Sequence, residues 1–378
     1  MHKILDVHHH DPESTSRWIK FQQGYLDLSE IPEQSFTSAI DLSNGKSELT
    51  GNMKNKKLIL KKSPRASIWY IGFNMIDPVV GGYDDKKRKL RQAISIAIDT
   101  DEYIKIFNNG RGNIAHSIIP PGIFGYEEGK SGYNPYIFDW DDTQNAAKLK
   151  SIDYAKKLLA EAGYPNGIDN ETGKQLNIFL NLYKLPGSSP VDWYISQLNK
   201  LNINLQVIET DGNRLQEIYN NGSFQMYVAG WNADYPDPEN FLFMLYGPNG
   251  KIKFKGENTS NYSNVEYDKL FDQIKSMSNG PDRLTLIKQA VAIIRKDCPW
   301  KFNFFPVDYV LYHDWYENAF PSGVINNSIK YQNINLESRT QYRDRENNPR
   351  LFWPLSILIS LTIIFFYTAF RFLKKEMN

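Results

Sequence analysis

Between residues 151 and 230 the chain alternates two hydrophobic periods, and that alternation decides its fold class. Helical spacing over 151–162 ends at Gly163, a residue free to take the left-handed conformation that closes a helix. Apolar, strand-like runs follow at 176–182, 204–210 and 224–230, separated by helical patterns at 190–201 and 212–221. Strand and helix in this order predict an α/β layer with a mainly parallel sheet and right-handed crossovers. Helical patterns at 265–277 and 281–297 close the unit, and 299–306 reads as a crossing back toward the N-terminal part. Upstream, Asp84 and Asp85 open a helix whose apolar residues fall at 90, 93, 94, 97 and 98. Its basic residues 86–89 occupy the first turn, against the helix dipole. Asp11 to Ser14 can cap a helix over 15–22 that stops at Gly24, and the basic run 54–65 reads as a lysine-guarded edge strand.

The strand expected at 224–230 runs into GWNADYPDPEN, residues 230–240, which is poor packing material. Three acidic residues and two prolines cannot continue a central strand, but they can build a rigid turn at its C-terminal end, where α/β sheets usually bind ligands. The Trp231 indole offers a flat apolar wall and Asp234 a fixed negative charge, a pair suited to an organic cation. A proline-stiffened loop around a core tryptophan is the alternative. Asp237 is placed to cap a helix continuing through Phe241, leaving Asp234 to bind.

A net charge of +1 gives no reason to expect nucleic acid as a partner. The aromatic share is high at 14%, with 23 Tyr and 8 Trp, side chains that serve well in adaptable pockets. Cys298 is the single cysteine, so an intrachain disulfide and a Cys-based metal site are both excluded, and its apolar surroundings make it a small buried hydrophobe. In the only histidine cluster, His8 and His10 would share a face of a strand with no further ligand at useful spacing, so no metal is expected. There is no phosphate loop, no G-x-S-x-G and no HExxH, and Asp84–Asp85 and Asp141–Asp142 read as caps and loops. The chain is expected to be no enzyme, with no catalytic residue and no cofactor.

Residues 351–370 carry no charge. A helix of that length spans about 30 Å, the thickness of a bilayer's hydrocarbon core. Trp353 and Tyr367 stand near its ends, and Arg371, Lys374 and Lys375 follow. A transmembrane helix over 351–372 with a tail over 373–378 is expected. The basic residues on both sides do not settle its orientation.

Five segments in order carry a family resemblance. They are Arg17–Trp18 with GYLDLSEIP at 24–32, WYIGFN at 69–74, LRQAISIAID at 90–99, AKKLLAEAGYPNG at 155–167 and the 230–240 segment. Together, over roughly residues 15 to 335, they resemble the large periplasmic solute-binding proteins of ABC importers, the oligopeptide- and dipeptide-binding family 5. The resemblance implies an α/β, two-lobed periplasmic binding protein type II fold. Lobe one would comprise 1–112 and 306–340, and lobe two 113–305. It implies capture of a peptide or other small solute by hinge closure and delivery to ABC permease subunits. Gly230, Trp231, Asn232, Asp234 and Tyr235 would line the ligand site, with Asp234 on the peptide's α-amino group. The globular part would be periplasmic and the tail cytoplasmic, on the bacterial inner membrane. The chain begins in the middle of the family pattern, without an export signal, so it resembles a C-terminal portion. An upstream-encoded N-terminal fragment is therefore a further possible partner, and the chain alone is expected to bind peptide weakly. The alternatives are a membrane-tethered sensor or interaction ectodomain, a fragment of a split gene, and a peptidase using Asp234.

Overall fold

A computed structural model describes residues 14–43, 47–184, 189–318, 332–347 and 352–376. His8, His10 and the capping residues Asp11 to Glu13 lie outside the described residues. The chain divides into two compact units, one of residues 61–309 and 321–328, the other of 1–60, 310–320 and 329–378.

The larger unit is built on one sheet. The strands Asn204–Thr210, Asn177–Tyr183 and Met226–Asn232 lie side by side and parallel. Next comes Ser67–Phe73, antiparallel to Met226–Asn232 along its whole length, from Met226↔Phe73 to Asn232↔Ser67. Trp300–His313 follows, again antiparallel, and it also pairs with Gly112–Ile114. The sheet is therefore mixed. Its parallel part is the segment whose helices impose crossovers, while Ser67–Phe73 and Trp300–His313 enter from outside that alternation and no crossover helix fixes their direction. Ser67–Phe73 and Gly112–Ile114 both pair within this unit, with Met226–Asn232 and Trp300–His313.

Both faces of this sheet are covered, which is why its central strands read as nearly continuous apolar runs. Tyr70, Tyr227 and Phe302 point to one core, and Ile71, Phe73, Leu180 and Met226 to the other. The helices Ile152–Glu161, Val191–Asn199, Gly212–Asn221, Val265–Ile274 and Pro281–Asp297 form close to their expected limits. Cys298 is buried, as its surroundings implied.

The helix Asp85–Ala97 resolves its charge pattern. Asp84 caps it by accepting from the Lys87 amide at 2.9 Å. The Lys87 ammonium reaches back to the carbonyls of Pro78 (2.6 Å) and Val79 (2.8 Å), and Lys89 bridges Asp85 (2.6 Å) and Glu161 (3.0 Å). These partners offset the unfavourable dipole. Arg91 is fully buried and donates to the carbonyls of Asp297, Cys298, Val80 and Gly82.

Lys301 is another buried cation. It is 3% exposed and its ammonium contacts Thr100 Oγ1 and, at 3.4 Å, Asn303 Oδ1. Burial pushes its pKa down from 10.5 to about 8. At pH 7 the group is protonated whether folded or unfolded, so its buried charge opposes folding. As pH rises through about 8 the folded state releases the proton first and the penalty fades. Lys301→Met should therefore stabilise at pH 7 by about 2–3 kcal/mol and lose that advantage near pH 10. Urea unfolding of both proteins at the two pH values reads the difference; an advantage unchanged with pH would remove Lys301 as its source.

In the smaller unit the helix Ser14–Gln22 is followed by Leu28–Glu30, which pairs antiparallel with residues 310–312. Between them Gly24 takes φ +76, and a Cβ there would stand 2.9 Å from the Tyr342 ring. The core is aromatic: the His313 ring stacks on Trp315 at 3.9 Å and lies 4.5 Å from Phe21. Asp27 ties it together, accepting from Trp315 Nε1 at 2.9 Å and pairing with Arg339 at 2.8 Å.

The C-terminal helix runs Phe352–Glu376. Its stretch Pro354–Lys374 contains an 18-residue window with a mean hydropathy of 1.9, none of it buried, so by length and composition it can cross a membrane. Ser360, Thr362 and Thr368 donate to the carbonyls of Ser356, Leu358 and Ile364, so their hydroxyls need no water.

Candidate functional site

Period-two alternation sorts the residues singled out in Met226–Asn232 onto two faces. Trp231 turns toward the core that holds Tyr70 and Tyr227, with its ring 5.4 Å from Phe243. Gly230 and Asn232 point the other way and are exposed. The indole on their face belongs instead to Trp69, directly opposite Gly230 in the register. A Cβ on Gly230 would sit 3.1 Å from Trp69 Cδ2 and Cε2 and 3.3 Å from Cε3, so the indole rests flat on the glycine backbone. Trp69 remains 36% exposed in an otherwise buried strand. Sequence reasoning passed over it, because only the register shows that a bulky residue faces Gly230.

The two edges of this strand differ. Ser67–Phe73 pairs with all of 226–232, but Asn177–Tyr183 pairs only with Met226 and Tyr227. From 228 to 232 the second edge carries no strand among the described residues.

Beyond the strand the Ala233 amide bonds Ala66 O at 2.8 Å, and then the chain turns. One buried side chain holds the turn: Asn240 Oδ1 accepts from the Asp234 amide (2.9 Å) and from Trp231 Nε1 (3.2 Å). Asp237 fixes the other end, accepting from the Glu239 amide at 2.9 Å, while the short helix Glu239–Leu242 has Pro238 at its N-cap and no side-chain cap. Asp237 also makes a bidentate pair with Arg283, 2.8 Å from Nη1 and 2.7 Å from Nη2. Arg283 is 3% exposed and further bonds Ile274 O and Asn279 Oδ1. Burial opposes the Asp237 charge, but Arg283 and the Glu239 amide outweigh it and hold the carboxyl below its ordinary range. The arginine lies 46 residues downstream, and nothing local to the motif announced it.

Asp234 is different. Its backbone is pinned by Asn240, its side chain is exposed, and its carboxylate has no hydrogen-bond or ion-pair partner among the described residues. Tyr235, 47% exposed, donates its hydroxyl to Glu239. The structure thus brings Gly230, Asn232, Asp234 and Tyr235 to solvent around one strand end, and sends Trp231 inward as the turn's support. Among the described residues no group of three or more His, Cys, Asp or Glu could hold a metal ion.

An open strand edge offers backbone donors and acceptors, and a pinned carboxylate without a partner among the described residues offers a fixed negative charge. Solved structures with this fold are two-lobed periplasmic binding proteins. The periplasmic binding protein DppA from Helicobacter pylori in complex with the peptide STSA aligns with a TM-score of 0.64 at 22% identity, over 85% of this chain and 55% of that one. The oligopeptide-binding protein AppA from Bacillus subtilis in complex with a nonapeptide aligns with a TM-score of 0.60 at 21% identity, over 85% and 59%. The family model described as bacterial extracellular solute-binding proteins, family 5 Middle, matches residues 5–253, and the chain belongs to that family. Among curated proteins it is similar to heme-binding protein A of Haemophilus influenzae, 27% identical over 292 residues, covering 76% of this chain and 46% of that protein. The chain spans about half the length of the curated relatives it matches.

Proposed function

We propose that this chain is a solute-binding component of an ABC importer, that it takes peptides by a free amino terminus, and that it performs no chemistry on them. The observation that carries this reading is the unpaired edge at 228–232 ending at the unpartnered Asp234. An extended peptide can add to such an edge through its own backbone, which gives affinity without regard to sequence. Its ammonium group would meet Asp234, and an apolar side chain could lie on the open face of Trp69. The likeness to structures holding a tetrapeptide and a nonapeptide supports a peptide as the ligand. Titration calorimetry of the full chain with mixed peptides, free or N-acetylated, tests it. Preference for the free amine is expected; indifference to acetylation would remove the amine-binding role.

The same reading makes Pro354–Lys374 a membrane anchor, with the globular part outside the cytoplasm. Its unburied apolar surface and internally bonded hydroxyls support this. Deleting residues 351–378 should move the protein from the carbonate-resistant membrane fraction to the soluble one. Retention in the membrane after deletion would refute the anchor.

A further inference from the structure

On the larger unit a short helix, Lys251–Phe254, ends at Lys255 in the left-handed conformation with φ 59. The turn presents Phe254 with 51% of its surface exposed. Ile76, 58% exposed, lies beside the same turn: a Cβ on Gly222 would stand 2.2 Å from Ile252 Cδ1 and 3.8 Å from Ile76 Cδ1. Two lysines border Phe254 in the sequence. Lys253 is exposed with its ammonium 5.0 Å from the Phe254 centroid, and Lys255 is exposed. Neither has a carboxylate partner among the described residues, whereas Lys251 is largely covered and stands 3.9 Å from Glu257.

We propose that the tip formed by Lys253, Phe254 and Lys255 docks on an anionic phospholipid surface. An exposed phenyl ring with an exposed lysine before and after it in the chain matches a bilayer interface. The ring enters the headgroup–acyl boundary while the lysines stay level with the phosphates. One ring and two charges bind a membrane too weakly to act alone. The chain carries its own candidate span, however, and a tether raises the effective concentration of lipid at the tip. The inference rests on the anchor reading above, and it identifies a second, reversible contact with the same bilayer.

The test labels Phe254→Cys with an environment-sensitive fluorophore in the full chain; Cys298 is buried and stays unlabelled. The protein is reconstituted into phosphatidylcholine vesicles with or without phosphatidylglycerol. A blue shift and quenching by lipid-borne spin labels are expected only with phosphatidylglycerol, and high salt should reverse them. Adding Lys253→Gln or Lys255→Gln should each lower the inserted fraction about fivefold, the factor corresponding to one lysine near an anionic surface. Protein that floats with the vesicles while its label stays in water overturns the tip and leaves the anchor standing. Protein that floats with neither vesicle type overturns both. Insertion that is equal in both lipids overturns the role of the lysines, and a shift that needs an added acidic protein assigns the tip to a protein partner instead.

Discussion

Replacing Asp234 with Asn should cost a peptide with a free amino terminus about 2–5 kcal/mol of binding, and its N-acetylated form far less. The magnitude comes from desolvation. Before the ligand arrives the carboxylate is exposed and has no partner among the described residues. In the proposed complex the peptide covers it, and the ammonium becomes its partner away from water. Asn keeps the shape and loses the charge, so the ammonium is left covered without a counterion. The turn itself should survive, because the bond from the 234 amide to Asn240 is made by the backbone and does not depend on the side chain. Calorimetry with the two forms of one peptide reads the difference directly. Equal losses for both would mean that residue 234 acts through the shape of the loop.

Asp237→Ala should destabilise the larger unit by about 3 kcal/mol, because it strands the guanidinium of Arg283 in a nearly sealed position. Arg283 would keep its bonds to Ile274 O and Asn279, which is why the loss is expected at the lower end for a broken buried pair. The double variant Asp237→Ala, Arg283→Met removes the orphaned charge and should recover much of the loss. Chemical denaturation of the four proteins gives the coupling. Additive losses would show that the two side chains act independently. The pH dependence follows from the same pair. The folded-state pKa of Asp237 is depressed, so its contribution is present above the ordinary carboxylate range and is lost as pH falls through the lower folded value.

The residues show the larger unit's helices and parallel strands, since those are local periodicities with local punctuation. Strand Asn204–Thr210 and helix Gly212–Asn221 form at their expected limits. The partner of Met226–Asn232 was not legible, because an antiparallel neighbour arriving from residues 67–73 leaves no periodicity behind it. That pairing places Trp69 over Gly230. Of the candidate site, the exposed, unpartnered side chain of Asp234 and the local bond from the Glu239 amide to Asp237 lie within the motif that the sequence singled out. The inward turn of Trp231 was not legible, because it depends on which face of the strand the Phe243 segment covers. The buried Arg91 and Lys301 were equally silent, since their partners are backbone carbonyls, a hydroxyl and a side-chain amide with no sequence signature.

The unpaired edge at 228–232 has a cost when it is empty. Backbone donors and acceptors there cannot tell a nutrient peptide from a stretch of someone else's unfolded chain, and a bare strand edge is a site of self-association. Pro236 and Pro238, which have no N–H to offer, lie just past the strand and keep the adhesive stretch short. In the proposed function, the prolines that border this edge would therefore limit how much foreign strand it can hold.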